Sequence, residues 1–418
     1  MGSKIPGFYK LSPEERLKIV KKFANLTSDE VENLRKTGSL SIKKADMMIE
    51  NVVGTMELPL GIATNFLING KEYLIPMCIE ESSVVAAASN GAKIARIRGG
   101  FRASSTEPIM IGQIQVTDLK NPEKAKKAIL ENKEKIISEA NDRKSTIIKL
   151  GGGVKDVEAR VVEFAGEKML IVHLLIDCKD AMGANFVNTV VEDTAPLVEE
   201  LTRGRVVLRI LSNLATHRLA RAEAVFDKKA LGGEDVVDAI LEAYQFACAD
   251  IYRATTHNKG IMNGIEAVLL ATCNDTRAVE AGAHAYASIN GYHPLTTWEK
   301  NDDGDLIGKI ELPLAVGIVG GATSVHPVAK TSRKILGIKS ARELAEVLAA
   351  VGLAQNLAAL RALATEGIQK GHMKLHARNL ATMAGATGDI IDEVVEKLMK
   401  DGKPSFSKAK EIVENLKE

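Results

Sequence analysis

Between residues 109 and 213 the spacing of apolar residues changes in a regular order along the chain. Apolar and polar residues alternate in four segments, which predicts strands at residues 111–116, 154–164, 168–178 and 206–211. Two segments between them have helical spacing, from residue 121 to about 140 and from 185 to 202. The resulting order, β-α-β-β-α-β, is that of a ferredoxin-like domain. Because helical patterns surround this segment, we predict a small domain inserted into a larger, helix-rich one.

The flanking sequence predicts an α+β protein. The segments Ser12-Pro-Glu-Glu15 and Thr27-x-x-Glu30 have the residues of helix N-caps, so two short helices are expected near the N-terminus. They are expected to pack on another surface, of which a second subunit is one candidate. Apolar runs on both sides of Asn69-Gly70 predict a β-hairpin with a type I′ turn. A second hairpin is predicted around residues 301–305. Alanine- and leucine-rich helices at residues 340–352 and onward to 371 are predicted to be buried.

Composition and charge exclude several classes of protein. The chain has 418 residues, 26% of them charged, and a net charge of +1, which gives no reason to expect a nucleic-acid partner. The longest uncharged apolar stretch, residues 347–360, is shorter than the ~18 residues of a membrane span, and no signal peptide is apparent. The four cysteines lie far apart, which favours buried, inert thiols in a reducing cytoplasm.

The most polar segment between helical patterns is residues 253–264, which contains Arg253 and Lys259. We interpret it as a connection between one helix that ends near residue 249 and another that begins near residue 275. Gly260 and Gly264 would let the backbone turn tightly there. By itself this pattern fits a polar connection and a functional segment equally well.

Two further segments join a predicted strand to a predicted helix. Glu80 and Glu81 precede a helix of small residues, where carboxylates either balance the helix dipole or serve as catalytic acids. The segment Asp180-Ala-Met-Gly-Ala-Asn185 leads into a helix N-terminus, which favours an anion such as a dinucleotide pyrophosphate. It is not the Gly-x-Gly-x-x-Gly fingerprint, so the signal is weak in isolation.

Two histidines stand at the head of the C-terminal segment. His372 and His376 are four residues apart, but no carboxylate has the spacing of a zinc protease, so no metal site is expected. Gly371 before His372 suggests a hinged flap that carries an imidazole and continues into helices at about residues 389–400 and 407–416. A structural histidine is the alternative.

Together these segments resemble the 3-hydroxy-3-methylglutaryl-CoA (HMG-CoA) reductase family in its class II, soluble bacterial and archaeal form. The resemblance spans nearly the whole chain and is carried by five motifs in the family's order: Glu80-Glu81, residues 180–185, Thr256-His-Asn-Lys259-Gly, residues 316–323 and residues 362–372. It implies reduction of HMG-CoA to mevalonate and CoA by two nicotinamide hydrides, within the mevalonate route to isoprenoids. It also implies a homodimer, or a multiple of one, with active sites at subunit interfaces.

The resemblance assigns a domain and a catalytic role to each part of the chain. The large substrate domain would comprise residues 1–108 and 214–372, the small NAD(P)-binding domain residues 109–213, and the C-terminal flap residues 373–418. Lys259 matches the lysine that stabilises negative charge on the reacting oxygen, and Glu81 matches the acid, which must hold a proton near neutrality. Asp275 matches the aspartate that couples these two, and His372 the histidine that protonates the departing CoA thiolate.

Binding residues follow from the same resemblance. Arg253 and Ser83 match positions that hold the substrate's terminal carboxylate, a task suited to a guanidinium. The residues that match the family's polar neighbours of the substrate are Asn263, Gln355 and Asn356. The residues that match the dinucleotide site of the family's small domain are Asp180, Met182, Gly183, Asn185 and Asn213.

Coenzyme choice is where this chain departs from part of the family. NADH-preferring relatives carry an aspartate near the adenine ribose, and ungapped counting puts Lys144, beside Arg143, at that place. A cation there favours a 2′-phosphate, so we expect NADPH, with NADH as a second coenzyme.

Three alternatives stay open from sequence. The same enzyme could run oxidatively as a mevalonate-degrading, NAD-linked dehydrogenase. Lys259 could instead form a Schiff base, as in an aldolase. The third is a CoA-binding module without catalysis.

Overall fold

The computed structural model describes residues 2–365, 367–388, 390–400 and 404–416, apart from the side chains of residues 368–372, 374 and 375. The strands in this part of the chain are β1 (Leu60–Ile68), β2 (Lys71–Cys78), β3 (Phe101–Ser105), β4 (Ile109–Thr117), β5 (Gly153–Phe164), β6 (Glu167–Asp177), β7 (Arg205–Ser212), β8 (Leu219–Phe226), β9 (Thr296–Lys300) and β10 (Leu306–Pro313). The α-helices are α1 (Pro13–Ala24), α2 (Ser28–Arg35), α3 (Ile42–Asp46), α4 (Val84–Ala95), α5 (Pro122–Glu131), α6 (Lys133–Asn141), α7 (Thr146–Lys149), α8 (Ala184–Thr202), α9 (Lys228–Leu231), α10 (Glu234–Ala249), α11 (Ile251–Ala271), α12 (Thr276–Ala287), α13 (Gly321–Val325), α14 (Pro327–Leu336), α15 (Ala341–Ala364), α16 (Ile368–Met383), α17 (Ile390–Lys400) and α18 (Phe406–Asn415).

The predicted ferredoxin-like arrangement is confirmed. The strands β5-β6-β4-β7 form one antiparallel sheet in that order. The strands of the first β-α-β unit, β4 and β5, therefore lie on either side of β6, and those of the second unit, β6 and β7, lie on either side of β4. Helices α5 and α8 pack on this sheet over a separate apolar core. The first helix was predicted to be continuous to about residue 140, but it breaks at Asn132, whose side-chain amide donates to the carbonyl of Ala128 at 2.8 Å.

A second sheet carries the larger part of the protein. Its strands lie in the order β2-β1-β3-β8-β10-β9, so the small domain is inserted between the neighbours β3 and β8. The hairpin that joins β1 and β2 turns at Asn69 (φ 50°) and Gly70 (φ 77°), as the type I′ prediction requires. The hairpin of β9 and β10 is confirmed as well. The α+β class is therefore confirmed.

Helix α15 lies at the centre of the large core. The sequence suggested two consecutive buried segments here, whereas the structure has one helix of 24 residues that packs against α4 and α11. By length and composition alone this helix would suit a membrane, but most of its apolar stretch is buried inside the protein. It is therefore explained as a core helix.

The two N-terminal helices pack on their own chain, against α14 and β2. The predicted N-cap at Ser12 and the predicted capping box at Thr27 are both present, and Ser12 forms a capping box with Glu15 as Thr27 does with Glu30. At the other end, α16, α17 and α18 enclose a small apolar cluster of their own. These clusters support the domain boundaries given above, which remain a proposal.

Two further expectations from sequence are wrong, namely a hinge at Gly371 and the burial of all four cysteines. Gly371 lies within α16 and is not a hinge ahead of it, whereas Gly367, at the N-cap of that helix, has a φ of 79°. The helical pattern that starts at residue 368 simply continues through Gly371. The four cysteines are free, as expected, but only Cys178 is buried, and Cys248 is exposed on the surface of α10.

The segment of residues 253–264 is not a connection, which corrects the central structural prediction. It lies within the 21 residues of α11. That helix begins before the segment, where the carboxylate of Asp250 caps it by accepting from the backbone N–H of Arg253 at 2.7 Å. Gly264 serves helix packing and not a turn. A Cβ atom there would lie 3.0 Å from the Cβ of Gln355 on α15, so glycine lets the two helices approach closely.

Two helical glycines make a matched test of this packing. Gly91 on α4 faces the backbone carbonyl of Ala354 on α15, and a Cβ atom would collide with it, whereas a Cβ atom at Gly260 on α11 would meet nothing within 4 Å. We expect Gly91→Ala to destabilise the fold by about 1–3 kcal/mol through overpacking. Gly260→Ala should stabilise it by about 0.5–1 kcal/mol, since alanine favours an unobstructed helix. Urea unfolding measures both, and equal midpoints for the two variants would contradict the close α4–α15 packing.

Candidate active site

Glu81 and Lys259 form the centre of the candidate site. Glu81 stands between the end of β2 and the start of α4, and Lys259 projects from the middle of α11, which packs against β2. The Nζ atom of Lys259 lies 3.2 Å from Oε2 of Glu81. Their side chains remain 61% and 38% exposed, so a substrate can reach both groups. Residues 178 positions apart in the sequence are thus brought together as an ammonium–carboxyl pair.

Ser83 lies two residues beyond Glu81 and caps α4 in an unusual conformation. Its φ of 79° is in the left-handed region, where a residue with a side chain is strained. Its hydroxyl is buried and has no hydrogen-bond partner among the described residues. The side-chain oxygen Oε1 of Gln355 is also buried without a partner in this part of the chain. Buried polar atoms are normally paired, so these two are candidates to bind a polar ligand.

Arg253 and Asn263 lie on α11 together with Lys259. Asn263 is one turn after Lys259 and shares its face of the helix. Arg253 is on a different face and is half-buried, and burial lowers the pKa of its guanidinium. No ion pair engages Arg253 within the described residues, which leaves its charge available to an anionic ligand.

Asn356 on α15 and His257 on α11 belong to one buried hydrogen-bond network. The amide oxygen of Asn356 accepts from the hydroxyl of Thr296 at 2.9 Å and from the indole of Trp298 at 3.0 Å. The ring nitrogen Nε2 of His257 lies 2.7 Å from the same Thr296 hydroxyl. Burial lowers the pKa of His257 to about 3, with a smaller contribution from Arg253, so its imidazole is neutral. The structure thus gives Asn356 a bracing role between α15 and β9.

Among the described contacts, none joins Asp275 to the central pair, and the contacts of the His372 side chain lie outside the described residues. Asp275 caps α12, where its carboxylate accepts from the backbone N–H of Ala278 at 3.0 Å, and it also lies 3.6 Å from Arg277. The described ion pairs include none between Asp275 and Lys259. His372 is in α16, and its side chain lies outside the described residues; His376 is exposed. The coupling and acid roles of Asp275 and His372 therefore remain predictions.

The predicted dinucleotide segment packs against the glycine-rich segment of residues 316–323. Ala181 forms a β-bridge with Val319, and the backbone N–H of Ile318 donates to the carbonyl of Asp180 at 2.9 Å. Gly317 permits this approach, since a Cβ atom there would collide with the backbone nitrogen of Met182. Two motifs that the sequence presents separately are therefore one structural unit.

Charged side chains hold this unit in place. The buried guanidinium of Arg218 donates to the carbonyls of Met182 at 2.9 Å and Ala181 at 3.2 Å, and also to Val316. The carboxylate of Asp180 accepts from the backbone N–H of Ala341 at 2.8 Å, at the start of α15. Asp180 and Met182 thus contribute mainly backbone and capping contacts here.

The N-terminus of α8 is where the sequence predicts an anion site, and that site stays a prediction. Gly183 caps this helix of 19 residues with a φ of 105° and no side-chain hydrogen bond, so the first backbone N–H groups lack a side-chain cap. Asn185 and Asn213 are exposed near the ends of α8 and β7. Gly320 and Gly321 also have positive φ, and a Cβ atom on either would meet nothing within 4 Å. These residues fit a dinucleotide, because they combine an open loop with unfilled donors.

Arg143 and Lys144 differ in their surroundings. Arg143 donates to Asp193 on α8 at 2.7 Å and to the carbonyl of Ala140 at 2.7 Å, so its charge is already engaged. Lys144 is exposed in the loop between α6 and α7 and makes no ion pair with the described part of the protein. Lys144 is therefore the cation of this loop that remains available to a ligand.

Sequence reasoning missed a second set of titratable groups near Lys259. Glu266 lies on the same face of α11, and burial, with Glu280 on α12 as a further cause, raises its pKa. One turn after Glu280, Nε2 of His284 lies 2.9 Å from Oε2 of Glu280. The spacing of seven residues between Lys259 and Glu266 would have revealed their shared face, but only if the segment had been recognised as helical. Within the described residues no group of three metal-ligating side chains is found.

An ammonium that faces a carboxyl group suits reduction of a carbonyl, and an uncapped helix N-terminus suits a dinucleotide, so the two sites together define an oxidoreductase. A family model described as hydroxymethylglutaryl-coenzyme A reductase matches residues 12–377. The chain belongs to this family, which confirms the resemblance inferred from the sequence.

Named relatives match over nearly the full length. The 3-hydroxy-3-methylglutaryl-coenzyme A reductase of Archaeoglobus fulgidus is 62% identical over 417 residues, which cover 100% of this chain and 95% of the relative. A probable reductase of the same name from Borreliella burgdorferi is 39% identical over 84% of this chain and 81% of its own length. A class II reductase structure from Streptococcus pneumoniae, bound to NADPH in open conformations, has a TM-score of 0.83 and 41% identity and covers 98% of this chain and 100% of that one.

Proposed function

We propose that this protein reduces HMG-CoA to mevalonate in the biosynthetic direction. One HMG-CoA, two NADPH and two protons would give one mevalonate, one free CoA thiol and two NADP⁺. The observation that carries the proposal is the contact of 3.2 Å between Lys259 and Glu81, in a chain of this family. Each reduction step puts negative charge on a carbonyl oxygen, and this pair would offer that oxygen both a cation and a carboxyl group in the role of acid.

The substrate's free carboxylate would be bound by Arg253, with Ser83 as a hydroxyl donor. Support comes from the lack of a described ion-pair partner for Arg253 and from the unpartnered hydroxyl of Ser83. Asn263 and Gln355 would contact the polar middle of the substrate. Asn356 would act indirectly, since its amide oxygen is bonded to Thr296 and Trp298.

Two catalytic roles extend beyond the central pair. Asp275 would tune Lys259 and Glu81 electrostatically from the start of α12. His372 would protonate the CoA thiolate after the first reduction, which suits its place on the C-terminal helical segment. Because CoA leaves mid-reaction, an acid on a segment that can move would act only at that step. His372→Ala would then impair reduction of HMG-CoA more than reduction of added mevaldehyde.

The coenzyme would lie along the unit formed by residues 180–185 and the glycines of residues 317–321, with its pyrophosphate at the N-terminus of α8. It supplies the hydride for each of the two reductions. Gly183 supports this arrangement by leaving the helix N-terminus without a side-chain cap. The exposed cation of Lys144 favours NADPH, with NADH as a second coenzyme.

Lys144→Asp tests the choice of coenzyme. We expect the ratio of kcat/KM for NADPH over NADH to fall by about tenfold or more, since a charge-assisted hydrogen bond to the 2′-phosphate contributes about 1.5–3 kcal/mol. Initial rates with each coenzyme measure this ratio. Lys149→Asp on the neighbouring helix α7 is the matched control, and an equal change in both variants would mean that general charge, and not Lys144, sets the preference.

The reaction itself is tested by following reduced nicotinamide on mixing pure protein with HMG-CoA. Two coenzyme equivalents consumed per thiol released are expected. Faster turnover of mevalonate, CoA and NAD⁺ at cellular concentrations would instead identify an oxidative dehydrogenase. Borohydride trapping should give no adduct at Lys259, whereas an adduct would indicate Schiff-base chemistry.

We further propose a homodimer, or a multiple of one, located in the cytoplasm. Exposed apolar residues on the large domain, including Val53, Met56, Phe246 and Tyr252, suit burial by a second copy. Sedimentation at several protein concentrations would establish the assembly.

A further inference from the structure

The turn between α11 and α12 carries a side chain that reaches the glycine-rich segment of residues 316–323. The amide oxygen Oδ1 of Asn274 accepts from the backbone N–H of Gly317 at 2.8 Å. Asn274 immediately precedes Asp275, which caps α12. Because neighbouring Cα atoms are about 3.8 Å apart, this hydrogen bond fixes Gly317 close to the backbone of the residue proposed to tune the central pair.

Asn274 is held in one orientation by its own part of the chain. Its Nδ2 atom donates to the hydroxyl of Thr272 at 3.0 Å, and its backbone N–H donates to the carbonyl of Leu269 at 2.9 Å. Thr272 is buried, and its hydroxyl donates to the carbonyl of Val268 at 2.8 Å, so the lone pairs of that oxygen can accept from the amide. Since Nδ2 is bonded to Thr272, the acceptor Oδ1 is the atom that faces Gly317.

Gly317 is enclosed on its other side by the predicted dinucleotide segment. A Cβ atom there would collide with the backbone nitrogen of Met182. The next residue, Ile318, donates its backbone N–H to the carbonyl of Asp180 at 2.9 Å. Gly317 is thus held between the turn that precedes α12 and the segment proposed to bind the coenzyme.

Helix α12 meets the predicted coenzyme residues at a second point. Gly282 packs against the backbone carbonyl oxygen of Asn213, and a Cβ atom at Gly282 would lie 2.6 Å from that oxygen. Gly282 is about two helical turns after Asp275. Contacts at two points along a helix fix its direction as well as its position, so α12 and its capping aspartate are aligned on the proposed coenzyme site.

We propose that Asn274 is a positioning residue that holds the coenzyme segment in register with Asp275, and through α11 with Lys259. The inference rests on the reaction proposed above, in which hydride transfer and the action of the Lys259–Glu81 pair meet at one carbonyl group. Hydride transfer requires the reacting atoms to lie ~3–3.5 Å apart, so a small displacement of the coenzyme segment slows this step. Two coenzyme molecules bind in each turnover, and the hydrogen bond from Gly317 returns the segment to the same place for both.

Asn274→Ala tests this role by removing the acceptor for the Gly317 N–H. We expect the Kd for NADPH to rise about three- to tenfold, the effect of one lost hydrogen bond. The single-turnover rate at saturating NADPH and HMG-CoA should fall about tenfold or more, because the hydride donor is then misplaced. The KM for HMG-CoA should stay within about twofold, since Arg253 lies near the opposite end of α11. A fluorescence titration with NADPH alone and a rapid-mixing experiment measure the Kd and the rate.

Asn301→Ala is the matched control. Oδ1 of Asn301 also accepts from a backbone N–H at 2.8 Å, that of Asp305 in the hairpin of β9 and β10, and both asparagines are half-buried. Urea unfolding should show a similar loss of stability in the two variants, but Asn301→Ala should keep the wild-type Kd and rate. Thr272→Val removes the acceptor that orients the amide of Asn274. It should cause a smaller loss of the same kind and add little to Asn274→Ala.

The Kd and the rate can each overturn the proposal. A wild-type Kd and a wild-type rate in Asn274→Ala, or equal losses in Asn301→Ala, would exclude a positioning role. A raised Kd with an unchanged rate at saturation would confine Asn274 to coenzyme binding and contradict its link to Asp275. If the wild-type protein reduced no HMG-CoA, the proposed function would fail, and the Kd values alone would then support or overturn the hold of Asn274 on the coenzyme segment.

Discussion

Lys259→Ala is expected to lower kcat for HMG-CoA reduction by about 10²–10³ or more while leaving the fold intact. The amine faces Glu81 at 3.2 Å and is 61% exposed, so its removal deletes the cation next to the reacting oxygen without opening a cavity. Because the oxygen becomes negative only during reduction, the loss should fall on kcat more than on KM. Steady-state rates with saturating NADPH, together with a urea unfolding curve, measure both parts of this expectation.

The matched control is another exposed lysine that pairs with a carboxylate. Lys300 lies 2.6 Å from Asp238 on the surface of the large domain, and Lys300→Ala should keep wild-type turnover. Arginine at position 259 should restore little activity, since its planar guanidinium cannot replace a compact ammonium at the same distance. Turnover of Lys259→Ala within threefold of wild type would remove Lys259 from the mechanism.

Short sequence patterns predicted much of the fold, because the structure at each of them is determined by contacts between residues close together in the sequence. The Ser12 and Thr27 caps satisfy backbone donors within one turn, and Asn69-Gly70 supplies the two positive φ angles of its turn. The β-α-β-β-α-β order of the small domain followed from periodicity alone. In all of these cases the determining contacts lie within a few residues of the pattern.

The errors arose where a distant segment decides the outcome. Polar residues and two glycines made residues 253–264 look like a connection, but Gly264 is there to admit Gln355 of α15, nearly a hundred residues further along. The amide of Asn356 likewise belongs to a network with Trp298 that no local pattern reveals. For the same reason the sequence did not reveal that Glu266 and Glu280 are neighbours, since this depends on how α11 packs against α12.

The candidate site was predicted in part for the same reason. Resemblance to a family placed Lys259 and Glu81 together, and the structure shows that contact. It could not show that Arg143 is tied to Asp193 while Lys144 remains exposed, because that difference depends on the geometry of α8. Family motifs therefore identified the candidate residues, and packing determined which of them remain available to ligands.

Glu81→Gln is expected to lower kcat by about 10²–10⁴, the usual contribution of a group that transfers a proton in the transition state. Glutamine preserves the size of the side chain and a hydrogen bond to Lys259 but cannot deliver a proton to the reacting oxygen. Reduction of added mevaldehyde should be slowed as well, because Glu81 would act in that step too. Single-turnover rates with HMG-CoA and with mevaldehyde measure the two steps separately.

The adjacent carboxylate is the control that isolates this role. Glu80 is exposed and makes no described contact with Lys259, so Glu80→Gln should change kcat by at most a few-fold. If Glu80→Gln abolished activity and Glu81→Gln did not, the catalytic acid would be Glu80 and not Glu81. If neither variant mattered, proton delivery would have to come from elsewhere in the site. Because Glu81 and Lys259 face each other directly, the double variant Glu81→Gln with Lys259→Ala should lose much less than the product of the two single losses.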